Sequence, residues 1–155
     1  GTPYLHKDKF ARPNGKGYLT PVDYIPAAEL PDEEYPFLLT TGRMLYHFHT
    51  GSMSRRSKPL SGIASEGFLE INPADAERLK VKDKDWVRVS SRRGEVRIRV
   101  NTTRRVDTGV VFMTFHFAES AANLLTNDAL DPIAKIPEYK VAAVKIAKGE
   151  GQKKG

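Results

Sequence analysis

Between Arg43 and Ser65 the chain carries Arg43, Arg55, Arg56 and Lys58 and not one carboxylate. His47, His49, Thr50, Ser52, Ser54, Ser57, Ser61 and Ser65 share that stretch, with Gly42, Gly51 and Gly62 spaced along it. A guanidinium fork matches phosphate oxygens, and glycines let backbone N–H groups come close to an anion. The composition suits an anion site and equally suits a solvated basic loop. Two short segments add polar and cationic groups where a strand meets a loop, a common place to bind a ligand. They are Thr40-Thr41-Gly42-Arg43 and Pro137-Glu138-Tyr139-Lys140. A turn with a surface charge is the plainer account of each.

Other chemistries find little support. His47 and His49, at i and i+2, would need a third ligand to share a metal, and no Cys, Asp or Glu lies near them in sequence. No metal site is expected. His116 stands alone, which favours a structural or ligand-contacting role over catalysis. No Gly-x-Ser-x-Gly elbow exposes a serine, and no Walker loop or Gly-x-Gly-x-x-Gly turn cradles a nucleotide. With zero Cys there is no thiolate ligand, disulfide or thiol nucleophile. Spacing alone gives no catalytic residue.

The elements that must position these groups are mostly strands. Phe37 to Thr41 is an apolar run ended by Gly42. Phe68 to Ile71 is a second strand, and Asn72-Pro73-Ala74-Asp75 starts a short helix with Asn as its cap and Pro in its first turn. Trp86 to Ser90 and Glu95 to Val100 alternate apolar and polar residues about a turn at Ser91 to Gly94, the pattern of a hairpin. Val110 to Phe115 reads as a buried strand, Ala118 to Leu125 as a helical turn, and Val141 to Ile146 as a closing strand. Six runs with little helix predict a mainly β fold, a small barrel rather than a doubly wound sheet.

Residues 1–35 read as an extended arm, residues 36–147 as the folded body and residues 148–155 as a polar tail. Six prolines in the first 36 residues deny the arm a helix. Its aromatics Tyr4, Phe10, Tyr18 and Tyr24 point to docking on a surface rather than to a free linker. The 155 residues suffice for one domain, and the formal charge is +6. Ten Lys and Arg against three acids from Lys80 to Arg105 fall on alternating strands, so a wet sheet face is expected there. No run reaches the roughly 18 apolar residues of a membrane span, no signal peptide is visible, and the lack of Cys fits a reducing, cytoplasmic setting. The first residue is Gly rather than Met, which fits a processed or excised product and, as the favoured expectation, a piece of a longer chain.

In order along the chain, several motifs resemble one family. Glu34-Tyr35-Pro36-Phe37-Leu38-Leu39-Thr40-Thr41-Gly42-Arg43 looks like the opening of the C-terminal molybdopterin-dinucleotide-binding domain of molybdenum/tungsten oxidoreductase catalytic subunits. The arm with Gly15-Lys16-Gly17 and Pro21-Val22-Asp23-Tyr24, and the run His47 to Ser57, resemble the formate dehydrogenase branch. Glu70 to Ala76, Phe112 to Phe117, Asn123 to Thr126 and Pro137 to Val144 continue the match, which spans about residues 10–146.

The resemblance implies a double-psi β-barrel that covers one side of bis(molybdopterin guanine dinucleotide). By motif position, Thr41, Arg43, His47, Ser52, Asn123, Tyr139 and Lys140 fall on cofactor-binding positions, and Phe115 offers ring contact. Arg43 and Lys140 suit pyrophosphate charge, while His47 and Asn123 suit pterin heteroatoms. The Mo or W and its Cys or selenocysteine ligand belong to other domains of the family's catalytic subunit. This chain is therefore not expected to hold the metal or to turn over substrate alone. The implied partners are those remaining domains and an iron–sulfur electron-transfer subunit, with no nucleic acid and no membrane insertion. A sister enzyme, such as nitrate reductase or formylmethanofuran dehydrogenase, is the alternative within the family. From another class comes a stand-alone basic β-domain that binds nucleic acid, which the charge permits but which lacks interleaved aromatics for base stacking.

Overall fold

The computed structural model describes residues 3–149. Six strands form the body: β1 (Phe37–Gly42), β2 (Phe68–Ile71), β3 (Trp86–Ser90), β4 (Glu95–Thr102), β5 (Val110–Thr114) and β6 (Ala142–Lys148). They close into a barrel in the order β1-β5-β2-β4-β3-β6. Two pairs are parallel, β1 with β5 and β2 with β4, and the remaining neighbours are antiparallel. The chain is thus mainly β, a closed six-stranded barrel of the kind the resemblance implies.

Period-two patterning explains the barrel. Phe37 and Leu39, Leu69 and Ile71, Val87 and Val89, Val96, Ile98 and Val100, Val111 and Met113, and Val144 all point inward and are buried in one core. Removing each such side chain from water contributes about 1.5–3 kcal/mol. Between them, Arg88 and Arg97 face solvent in register across the β3–β4 hairpin.

Helix α2 (Pro73–Arg78) lies just after β2 and is held by its cap. The Asn72 side chain accepts from the Ala74 N–H (3.0 Å), and Pro73 opens the helix. Its Asp75 is fully buried, accepting from the Gly109 N–H (2.7 Å) and from Arg78 (2.7 Å), which pins the turn leading into β5. A second helix, α1 (Lys58–Ile63), occupies part of the basic stretch that composition suggested was loop. It buries none of its residues, so it leaves no apolar periodicity in the sequence. The Ser61 hydroxyl ties it to the Arg55 carbonyl (2.8 Å).

Residues 3–27 are almost all exposed, with one compact turn where Phe10 N–H donates to the Gly15 carbonyl (3.0 Å) and Arg12 lies over the Tyr18 ring. The next few residues are bonded to the barrel. Glu29 accepts from Arg92 (2.5 Å) and Arg93 (2.6 Å), and Asp32 also accepts from Arg92. Burial pushes the Glu29 carboxyl up, but Arg93, Arg92 and the Ala143 N–H outweigh it and hold it below its ordinary range. Tyr35 is buried beneath the Arg92 guanidinium and the Lys145 ammonium. Of the tail expected over residues 148–155, the last six positions lie outside the described residues.

Candidate functional site

The ends of β1 and β5 and the start of β6 lie at one end of the barrel, because β1 runs parallel to β5 and antiparallel to β6. A cleft of about 520 Å³ opens there. Thr41, Arg43, Phe115, Asn123, Tyr139 and Lys140, all picked out in the sequence, line it. His49 and Thr50 complete the wall. The first and last of the two recognised segments, nearly 100 residues apart, meet through reciprocal bonds. The Thr41 hydroxyl donates to the Tyr139 carbonyl (2.7 Å), and the Lys140 ammonium donates to the Thr41 carbonyl.

The electrostatics of the cleft are one-sided. Two cations and no carboxylate line it. Arg43 is exposed and, among the described residues, makes no ion pair. The chain holds a larger cavity, about 560 Å³, beside β3 and β4, but Glu66, Glu95 and Glu119 offset Arg97 and Arg99 there. Arg99 is already paired with Glu66 (3.2 Å). That cavity offers an anion no net attraction, so volume is a poorer guide here than charge.

Two residues expected at the site do not line this cleft. His47 is 3% exposed and both of its ring nitrogens are engaged. A carbonyl only accepts, so Nε2 carries the proton and donates to Ala64 O (2.7 Å). Nδ1 then accepts from the Ser54 hydroxyl (3.1 Å), whose oxygen accepts from the Phe48 N–H (2.9 Å). His47 thereby ties the loop after β1 to the end of α1. Ser52 is exposed and does not line the cleft, though its hydroxyl accepts from that of Thr50 (3.4 Å).

His49 and Thr50 belong to the basic stretch that suits an anion site but not to the cofactor-binding positions that the family motifs imply. His49 adopts φ of +48° and Gly51 φ of +74°, so the chain turns sharply and sends His49 outward while His47 goes inward. The Phe115 ring then meets the His49 ring edge-on, 5.9 Å between centroids. Alternation would put His47 and His49, at i and i+2, on one face, so it does not separate the buried histidine from the exposed one.

His116 lies behind this wall. It is 7% exposed, packed on Phe117 (4.2 Å between centroids) and His47 (5.2 Å). Neither ring nitrogen has a partner among the described residues. Burial, then the neighbouring His47 and Arg55, push its pKa down to about 4. It is a neutral packing group at pH 7, which a lone histidine in the sequence left open.

The family model described as "Molydopterin dinucleotide binding domain" matches residues 37–143. The chain is 56% identical over 146 residues to the F420-dependent formate dehydrogenase subunit alpha of Methanocaldococcus jannaschii, covering 94% of this chain and 22% of that protein. It is 53% identical over 148 residues to the F420-dependent formate dehydrogenase 1 subunit alpha of Methanococcus maripaludis, covering 96% of this chain and 22% of that protein. The chain thus spans about a fifth of the length of these relatives. Among solved structures, acetylene hydratase from Pelobacter acetylenicus superposes with a TM-score of 0.68 at 17% identity, over 76% of this chain and 19% of that one. At that identity the likeness is one of fold.

Proposed function

We infer a function from one premise: this chain belongs to the molydopterin dinucleotide binding domain family. Its cleft takes the phosphate-bearing part of a molybdopterin guanine dinucleotide, and the domain covers one side of the bis form of that cofactor. Arg43 and Lys140 neutralise the pyrophosphate, each contact worth roughly 1.5–3 kcal/mol when well made. Thr41, Asn123, Tyr139 and Thr50 supply hydrogen-bonding groups, and Phe115 with His49 supplies ring surface. His47 serves the cofactor indirectly, by fixing the loop that carries His49, and Ser52 braces Thr50. One observation carries this reading: an acid-free, doubly cationic cleft built by two sequence-distant segments. The residues present fit a polyanionic ligand rich in hydrogen-bonding heteroatoms.

The whole protein to which such a domain belongs is a formate dehydrogenase alpha subunit, oxidising formate to CO2. When bound, the cofactor supplies the molybdenum or tungsten at which that oxidation occurs, ligated by other domains. Those domains and an iron–sulfur electron-transfer subunit are the partners, in the cytoplasm. Among the described residues no helix is long and apolar enough to cross a membrane.

Titrating the 155-residue chain with GDP by calorimetry tests the cleft. Saturable, salt-sensitive binding that weakens in Lys140→Ala is expected. No binding, or binding indifferent to Lys140→Ala, overturns it.

A further inference from the structure

Tyr139 and Lys140 sit in a turn outside helix and strand, where side-chain bonds add to the few main-chain ones. Glu138 precedes them and does not line the cleft. Its Oε2 accepts from Asn127 Nδ2 (2.9 Å) and from the Ala28 N–H (3.2 Å). The same Asn127 nitrogen donates to the Val141 carbonyl (2.9 Å), and Asn127 Oδ1 accepts from the Ala129 N–H (2.9 Å). On the main chain, the Glu138 N–H donates to Ala129 O (3.0 Å). Ala28 is itself fixed, since Glu29 next to it is gripped by Arg92 and Arg93.

We propose that Glu138 is a positioning residue for the anion cleft, and that the root of the N-terminal arm is its counterpart. The carboxylate joins Ala28 to Asn127 and so holds Tyr139 and Lys140 against Thr41. This rests on the cleft binding an anion, as inferred above. The proposal reverses the sign expected from charge. Removing a carboxylate near an anion site tightens anion binding by Coulomb's law alone. Removing a positioning carboxylate loosens it, because Lys140 is no longer held where the anion sits.

The test titrates the 155-residue chain with inorganic pyrophosphate, alongside Glu138→Ala, Glu138→Gln, Arg43→Ala, Lys140→Ala and the Glu138→Ala/Lys140→Ala double variant. Thermal midpoints confirm that each is folded. Glu138→Ala is expected to bind about tenfold more weakly. Glu138→Gln, which keeps an acceptor oxygen, recovers part of that loss although it too lacks the charge. In the Lys140→Ala background the Glu138 substitution changes affinity by less than about twofold, since its effect runs through Lys140. The amide of Tyr139, which donates to Pro137 O (3.0 Å), exchanges faster in Glu138→Ala without any ligand. If Glu138→Ala binds as tightly as the parent or tighter, while Arg43→Ala and Lys140→Ala bind weakly, the cleft reading stands and the positioning role is overturned. If Arg43→Ala and Lys140→Ala bind as the parent does, the cleft reading fails and takes this proposal with it.

Discussion

Arg43 follows a buried strand end, yet its side chain is exposed in the cleft and free of ion pairs among the described residues. On the function proposed above, its value lies in the ligand rather than in the fold. In the full subunit, Arg43→Ala is expected to lower cofactor retention about ten- to a hundred-fold while leaving the domain's melting point nearly unchanged. Molybdenum, tungsten and released guanine nucleotide per protein measure the first, and thermal midpoints of the isolated domain the second. Unchanged cofactor content with a much earlier melt would instead make Arg43 structural. His116 sits at the opposite extreme, buried and without a ligand. Its pKa, lowered from 6.5 to about 4, means that the unfolded chain takes up the proton first as pH falls. Its contribution to stability is therefore complete above about pH 6.5 and shrinks from there towards pH 4. By linkage the loss reaches about 2 kcal/mol at pH 5. The Glu29 and Glu119 carboxylates, whose pKa values lie below the ordinary 4.5 through bonds from Arg92, Arg93 and Arg55, weaken the fold only at lower pH. Thermal melts between pH 7 and 5 should thus show a slope in the parent that His116→Gln lacks; equal slopes would contradict the buried neutral ring.

At the level of elements, Gly42 ends β1 where a Cβ would stand 2.5 Å from the Phe112 ring carbon Cε2. Gly42→Ala must displace that ring or the strand end, at about 1–3 kcal/mol. A lowered urea midpoint with weaker anion binding is expected, because Arg43 moves with the strand end; an unchanged midpoint would show that the ring gives way freely. The six strands were legible because alternation and short apolar runs report burial directly, as in Val87 and Val89 or Val96, Ile98 and Val100. The cap of α2 was legible because Asn72 and Pro73 act on their own backbone, whatever the rest of the chain does. Helix α1 was not, since it contains Pro59 and Gly62 and buries nothing. Four of the cleft's eight lining residues, Thr41, Arg43, Tyr139 and Lys140, were legible as polar groups where strands meet loops, and family motifs added Phe115 and Asn123. Composition marked the basic stretch but does not separate inward His47 from outward His49, a choice made by backbone turns at His49 and Gly51.

For the molecule as a whole, the arm divides in two. Residues 3–27 carry exposed Leu5, Leu19, Val22, Tyr24 and Ile25, while Ala28 onward is bonded to the barrel. Amide exchange of the isolated chain should be fast over the first part and slow at Ala28 and Tyr35, whose N–H groups are donated to Glu138 and Asp32. Slow exchange throughout would mean that the barrel alone holds the whole arm. The barrel's closure has a consequence of a different kind, for synthesis. Strand β6 pairs with both β1 and β3, and β1 takes its other neighbour from β5. As this segment leaves a ribosome, β1 therefore has no barrel partner until residue 110 follows it, and the ring stays open until residue 148. Pairings so distant along the chain are slow to form. Until then β1 and β3 present bare edges to any neighbouring chain. The finished barrel has no such edge, so its hazard is confined to the interval before its last strand arrives, and a stop codon within β6 would make that interval permanent.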